Sequence, residues 1–162
     1  MPLFKIGNKK IGDHQPTFII AEVGANHNGD INLAKKLILE AKKIGCDCVK
    51  FQTYKTENFC ANTEKKFTYF SQGKEVTESE FKMFKRLEFN NSQWEEIFNY
   101  CKSKKITFFT TIQDMPNLKL MLGLGLPAIK VGSDDFDFIF NLKKYAKTGL
   151  PLILSRGMSD LK

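Results

Sequence analysis

The chain has 162 residues and a formal net charge of +7, from 25 Lys and Arg against 18 Asp and Glu. This is the length of one domain, and 42% hydrophobic residues is enough to form a core, which argues against intrinsic disorder. No apolar run approaches the roughly 20 residues of a membrane-spanning helix, and the first residues lack the order of a secretory signal. We therefore expect a cytoplasmic protein with no membrane partner.

Strand and helix signals alternate along the chain. A β-rich run at 17–23 is followed by an amphipathic pattern at 31–44, which Asp30 is placed to cap and Gly45 to end. The stretch 55–90 shows no clear strand of its own, and we expect a functional loop or a short helix there. The remaining predicted strands are 46–54, 106–112, 128–131 and 150–155, and the remaining predicted helices begin at 91, 117 and 136.

About five β/α units predict a parallel sheet, either open and doubly wound or closed as a barrel. Polar residues cluster at the carboxyl ends of the predicted strands, which is typical of a barrel active site. A full barrel needs eight strands and typically about 250 residues. We therefore predict a TIM (β/α)8-type barrel that this chain leaves incomplete, with apolar surface exposed at the open edge.

Two further classes of site are disfavoured by the residue spacing. The four cysteines (Cys46, Cys48, Cys60 and Cys101) form no Cys-x-x-Cys pair, and His14 and His27 lie at no zinc-finger spacing, so we expect no metal site within this chain. Cys46 and Cys48 are predicted to share one strand face as reduced, small apolar residues. The lysines are spread along helix faces, which favours a solvated surface over a nucleic-acid site.

The strand-end residues predict an anion-binding pocket. Glu22 ends an otherwise apolar strand, and both a catalytic role and simple bonding to loop amides are open for it. Lys50 and Lys130 end two other strands, where two compact positive charges suit a phosphate or carboxylate ligand. Hydroxyl groups that can donate hydrogen bonds end neighbouring strands: Thr111, Ser133 and Ser155. His27 follows Glu22 in a polar turn, where we expect a hydrogen-bonded loop residue.

Three sequence blocks together resemble the sialic acid synthases, a family that includes the legionaminate and pseudaminate synthases. The blocks are AEVGANHNG at 21–29, VKFQT at 49–53 and IKVGS at 129–133, in this order and at these separations. Further matches are Leu87-Glu88, Asp114 and Gly157-Met158. The resemblance covers about 18–158 and implies that residues 1–162 are the N-terminal portion of a synthase barrel domain.

The resemblance implies an enzyme that condenses phosphoenolpyruvate with an N-acetylated amino sugar such as N-acetylmannosamine, releasing phosphate and a sialic-type acid. Glu22 matches the acidic residue near the reacting carbons, and Gln52 and Asp135 match sugar contacts. The positions that match phosphoenolpyruvate contacts are Lys50, Thr111, Lys130, Ser133 and Ser155. Fixed positive charge stabilises an enol phosphate and its tetrahedral intermediate, which is the electrostatic catalysis this chemistry needs.

The resemblance also implies parts that this chain lacks. Family members use a divalent metal, Mn²⁺ or Mg²⁺, and its two histidine ligands match neither His14 nor His27 and come after residue 162. The last barrel strands and a small antifreeze-like domain also follow in the family, whose members are homodimers. A complementary C-terminal chain is therefore an expected partner.

Several residues depart from the family pattern, namely Ile112, Gln113, Asp134 and Arg156. An inactive truncated remnant and an anion- or protein-binding module are therefore alternatives to an active enzyme. Another phosphoenolpyruvate-condensing barrel, such as a synthase of deoxy-sugar phosphates, is a third alternative. The polar turn at 26–29 favours the sialic acid branch.

Overall fold

A computed structural model describes residues 3–71, 73–157 and 159–160. The strands are β1 (Phe4–Ile6), β2 (Lys9–Ile11), β3 (Ile20–Gly24), β4 (Cys48–Thr53), β5 (Lys66–Ser71), β6 (Lys74–Ser79), β7 (Thr107–Ile112), β8 (Ile129–Val131) and β9 (Leu152–Leu154). The helices are α1 (Ile31–Lys43), α2 (Thr56–Phe59), α3 (Glu80–Leu87), α4 (Asn91–Ser103), α5 (Met115–Leu124) and α6 (Ile139–Ala146). No described helix is long and apolar enough to cross a membrane.

Five of the strands form one parallel sheet in the order β3-β4-β7-β8-β9. The predicted parallel sheet is therefore confirmed. The spatial order follows the chain order without the reversal that defines a doubly wound sheet, and this is the strand order of a barrel wall. The architecture is thus an α/β fold of TIM-barrel type.

Local capping explains where the main helices begin. The Asp30 side chain accepts the backbone N–H of Asn32 at 2.7 Å, which starts α1 as predicted. Asn90 and Gln93 form a reciprocal capping box at the start of α4, with both distances 2.9 Å. The buried faces of these helices cover the sheet with Ala34, Ile38, Ala41, Trp94, Ile97 and Cys101.

The stretch 55–90 contains an antiparallel hairpin of β5 and β6, so the expectation of no strand there was wrong. Its stability comes from cross-strand pairs: Thr68 and Thr77 hydroxyls lie 2.8 Å apart, and the Tyr69 hydroxyl donates to Glu78 at 2.6 Å. The short helices α2 and α3 flank the hairpin, which confirms the expected helical content of this stretch.

A second hairpin, β1 with β2, was not predicted and lies at the amino end of the sheet. Lys9 pairs with Asp47, just before β4, at 3.0 Å, and a Cβ at Gly7 would lie 3.1 Å from the Thr107 hydroxyl at the start of β7. The hairpin therefore lies at the end of the sheet opposite the carboxyl ends of the strands.

The cysteines are free thiols, as expected. Cys46 precedes β4, which begins at Cys48, so the prediction that both lie on one strand face was wrong. Burial raises the pKa of the Cys101 thiol to about 12, and it raises the pKa of Cys48 as well. These two thiols are core residues without the character of reactive cysteines.

The expected apolar surface is present at both edges of the five-stranded sheet, on its two outer strands. Ile20 on the outer strand β3 and Leu154 on the outer strand β9 are exposed. Three consecutive residues at the start of α6 are also exposed: Phe138, Ile139 and Phe140. The sheet edges and this helix thus carry side chains of the kind that further β/α units bury in a closed barrel.

Candidate active site

A cavity of about 460 Å³ opens at the carboxyl ends of the parallel strands. It brings together seven of the eight predicted site residues: Glu22, Lys50, Gln52, Thr111, Lys130, Ser133 and Ser155. Asp135, the eighth, is not among the residues that line the cavity. The convergence of the ends of five parallel strands explains why residues so distant in the sequence meet here.

Strand register sets the level of these side chains. Glu22 on β3 lies opposite Lys50 on β4, and Gln52 on β4 lies opposite Thr111 on β7. Thr111 in turn lies opposite Lys130 on β8. Neighbouring residues at matched positions point to the same face of a parallel sheet, so Glu22 and Lys50 form one row and Gln52, Thr111 and Lys130 form the next row on that face.

Lys50 is held from two sides. Its ammonium lies 2.8 Å from the Glu22 carboxylate and donates to the Thr111 hydroxyl at 3.1 Å. The Lys50 side chain is only 11% exposed, whereas that of Glu22 is 52% exposed. The partner that a strand-end carboxylate needs is therefore Lys50, and Glu22 keeps one side open to the cavity.

Lys130 is the second cation of the cavity and has a different environment. Its ammonium donates to the backbone carbonyl of Val131, and it forms no ion pair within 4 Å among the described residues. Burial and the charge of Lys50 lower the pKa of Lys130, while Glu22 and Asp134 oppose this shift. An anion bound beside Lys130 would supply the counter-charge that this half-buried ammonium lacks.

The two serines and Asp135 are placed by the ends of β8 and β9. The Ser155 N–H donates to the Val131 carbonyl at 3.1 Å, which extends the pairing of the two strands. The Asp135 N–H donates to the Gly132 carbonyl at 3.3 Å, so the chain turns between Ser133 and Asp135. Burial and the negative charges nearby raise the pKa of the Asp135 carboxyl.

Five cavity residues were not predicted as site residues: Gly24, Asn26, Gln113, Gly132 and Asp134. All of them end a strand or follow one within three residues, so the signal that identified Lys50 and Lys130 also applies to them. Gly24 has a positive φ of 52°, and a Cβ there would lie 3.1 Å from the Glu22 carboxylate. A side chain at this position would be strained by the positive φ and would make a tight contact with the Glu22 carboxylate.

Two buried carboxylates fix the loops around the cavity. Asp114 accepts the Lys55 N–H at 2.7 Å and the Asn117 N–H at 2.8 Å, which ties the end of β4 to the start of α5. Glu88 pairs with the Lys55 ammonium and accepts the Thr56 N–H at 2.9 Å and its hydroxyl at 2.8 Å. Burial alone would raise the pKa of Glu88, but these bonds outweigh it and lower the pKa to about 2.

His27 is a hydrogen-bonded loop residue, as expected. Its ring stacks on Phe89 with centroids 4.1 Å apart, and its Nδ1 accepts the Gly29 N–H at 3.1 Å. The side chain is buried, and burial lowers the pKa of His27 to about 4.

The described residues form no group of three possible metal ligands, so they do not fit the family's metal by themselves.

Comparison with known proteins identifies the family. The model of the NeuB family matches residues 37–162. The chain belongs to the NeuB family. This NeuB-family chain is 40% identical over 145 residues to the N,N'-diacetyllegionaminic acid synthase of Campylobacter jejuni, covering 90% of the chain and 43% of that protein. It is 39% identical over 155 residues to the N-acetylneuraminate-9-phosphate synthase of Mus musculus, and this match covers 93% of the chain and 42% of the mouse protein.

A solved structure agrees with the sequence comparisons. The N-acetylneuraminic acid synthetase of Leptospira borgpetersenii, in complex with citrate, matches with a TM-score of 0.84 and 35% identity. The match covers 99% of this chain and 51% of that one. The chain therefore spans about half the length of its relatives or less. The resemblance to sialic acid synthases is confirmed, although its Met158 match lies outside the described residues.

Proposed function

We propose that this NeuB-family chain forms the phosphoenolpyruvate-binding wall of a synthase that joins phosphoenolpyruvate to an N-acetylated amino sugar. The observation that carries the proposal is the cavity in which Lys50 and Lys130 meet three hydroxyl side chains. A pocket of this composition suits a ligand that bears both a phosphate and a carboxylate. Citrate bound to the Leptospira relative is likewise a compact polyanion.

The two lysines have separate tasks in this proposal. Lys130 forms the principal ion pair with the substrate, because Lys50 already has Glu22 as its counter-charge at 2.8 Å. Lys50 then places a second positive charge at a fixed position, held by Glu22 and Thr111. Charges that are fixed before the reaction stabilise developing negative charge without reorganisation. Thr111, Ser133 and Ser155 donate hydrogen bonds to the remaining oxygens of the bound anion.

The proposed reaction forms one carbon–carbon bond and replaces the C2–oxygen bond to phosphate by a C2–oxygen bond to the oxygen of water. C3 of the enol phosphate attacks the aldehyde carbon of the open-chain sugar, and the aldehyde oxygen takes up a proton. Water then adds at C2, and phosphate leaves to give the 2-keto acid. Glu22 lies at the cavity with its carboxylate half exposed, which suits a group that moves a proton or orients the attacking water. Gln52, which lines the cavity, and Asp135, which follows the lining residue Asp134, are the proposed sugar contacts.

The five-stranded sheet is open at β3 and at β9, where further β/α units would complete a barrel. We propose that residues 1–162 form the N-terminal portion of a barrel domain, and that a complementary C-terminal chain covers the exposed edges of β3 and β9. That chain would also supply the metal ligands, because the described residues do not fit a metal on their own. A homodimer of the completed synthase is the expected assembly.

A thermal unfolding experiment tests the anion-binding part of the proposal. At a concentration one hundred times its Kd, phosphoenolpyruvate stabilises the folded chain by about 2.7 kcal/mol, which raises Tm by several degrees for a domain of this size. Lys130→Ala should abolish the shift. Lys119→Ala, which removes an exposed lysine on α5, should leave it unchanged. Equal shifts in both variants would refute a specific pocket.

A turnover experiment tests the reaction. The chain is mixed with a complementary C-terminal chain, N-acetylmannosamine and Mn²⁺, and phosphate release from phosphoenolpyruvate is followed. Release that depends on the sugar supports the synthase. Phosphoenolpyruvate binding without turnover, in the presence of a folded partner, would favour an anion-binding module. Neither binding nor turnover would indicate an inactive remnant.

A further inference from the structure

Two cavity residues that have no role in the proposed reaction contact each other at its mouth. The side-chain amide of Gln113 donates to the Asp134 carboxylate at 3.4 Å. Gln113 directly follows β7, and Asp134 follows β8 by three residues, so the contact bridges two neighbouring strand-end loops. We call this pair the Gln113–Asp134 rim.

Strand pairing places the backbone of Gln113, and Gly132 leaves space for the Asp134 carboxylate. The Gln113 N–H donates to the Thr53 carbonyl at 3.2 Å, which continues the pairing of β7 with β4. A Cβ on Gly132 would lie 2.0 Å from the Asp134 carboxylate, so this carboxylate occupies space that only glycine at position 132 leaves free. The rim therefore joins two strand-end loops through one exposed side-chain contact, and the carboxylate depends on glycine at position 132.

The rim gives the cavity two regions of opposite character. Lys50 and Lys130 lie on the strands, and among the residues that the structure describes Lys50 forms an ion pair, with Glu22, whereas Lys130 forms none. Asp134 lies close enough to Lys130 for the two charges to interact. A ligand whose anionic end lies against Lys130 therefore meets a carboxylate and an amide at the mouth of the cavity.

We propose that the Gln113–Asp134 rim selects the second substrate by accepting hydrogen bonds from its hydroxyl groups and by repelling a phosphate. A carboxylate is an acceptor without a donor, so it favours O–H and N–H groups and disfavours another anion. This inference rests on the proposed function, because the second substrate is the sugar. Relatives are named for phosphorylated and for unphosphorylated products, so the distinction is relevant within the family.

The test compares two probes on the chain saturated with phosphoenolpyruvate. Calorimetric titration gives the affinities for N-acetylmannosamine and for N-acetylmannosamine 6-phosphate, and their ratio is the preference. The wild type should prefer the unphosphorylated sugar. Asp134→Asn keeps the size of the side chain and removes its charge, so it should reduce the preference roughly fivefold, the effect of one partly screened charge. Asp160→Asn, at an exposed aspartate outside the cavity, is the matched control and should leave the preference unchanged.

A second variant tests the role of the amide. Gln113→Ala removes the donor that holds Asp134 and should weaken binding of N-acetylmannosamine about two- to threefold, the effect of one modest hydrogen bond. Its phosphoenolpyruvate affinity should not change, which shows that the chain is folded. If Asp134→Asn keeps the wild-type preference and binds phosphoenolpyruvate normally, the selective role of the rim is overturned and the proposed function is not. Wild type that binds neither sugar also overturns it, and wild type that does not bind phosphoenolpyruvate overturns the proposed function as well.

Discussion

Glu88→Gln should destabilise the chain in a manner that depends on pH. The Glu88 side chain is 6% exposed, and Lys55 and Thr56 hold it as a carboxylate with a pKa of about 2, against 4.5 when unperturbed. Since the folded pKa lies below the unfolded one, the stabilisation is present above pH 4.5 and is lost as pH falls toward 2. A gap of about 2.5 pKa units corresponds to at most about 3 kcal/mol near pH 7.

Urea unfolding of wild type and Glu88→Gln at a series of pH values measures this contribution directly. The difference in unfolding free energy should be largest at pH 6–7 and should shrink below pH 4.5. Glu57→Gln is the matched control, because Glu57 also pairs with a lysine, Lys85 at 2.7 Å, but is exposed. Because solvent screens an exposed ion pair, this variant should change the free energy of unfolding far less than Glu88→Gln does. A loss in Glu88→Gln that stays constant down to pH 2.5 would refute the assignment to the carboxylate charge.

Three further predictions concern the fold around the cavity. Gly29→Ala should cost more than Gly45→Ala in urea unfolding: both glycines have positive φ, but only the Cβ at Gly29 meets a backbone atom, the Arg86 carbonyl at 2.3 Å. Equal losses would count against that close approach. Burial lowers the pKa of His27 to about 4, so wild-type stability should fall as pH drops from 6.5 to 4, and a flat profile there would contradict the buried neutral ring. Trp94→Ala should cost about 3–5 kcal/mol in the same assay, and a loss under 1 kcal/mol would contradict its place in the core.

Elements whose signals are local in sequence could be predicted. Asp30 and Asn90 bond to backbone groups two or three residues away, so the starts of α1 and α4 follow from the sequence. The β5–β6 hairpin was missed because both of its strands are largely exposed and its apolar face is small, with Phe67 and Tyr69 on β5 and Val76 on β6. Its pairs join residues nine apart, such as Thr68 with Thr77, and nothing in either strand alone indicates them.

In the candidate site, too, some features could be predicted from the sequence and others depend on contacts between distant residues. Strand-end lysines and hydroxyls were predictable because a parallel sheet brings all its carboxyl ends to one edge. The position of Asp135 outside the cavity depends on the turn closed by its N–H and the Gly132 carbonyl, which sequence periodicity does not describe. Contact between Gln113 and Asp134 likewise depends on two loop conformations at once.

The strand order has a consequence for how the molecule is made. Each strand from β3 to β9 in the large sheet pairs with the one that precedes it there in the chain, so pairing can proceed in the order in which the ribosome releases the residues. Each addition closes one connection between neighbouring strands, and because the entropic cost of closure grows slowly with length, even the long connection from β4 to β7 costs only modestly more. The Glu22–Lys50 pair can therefore form as soon as β4 joins β3, whereas the Lys130 side of the cavity waits for β8. On this order of events a nascent chain acquires its internal ion pair before it acquires the lysine that we assign to the substrate.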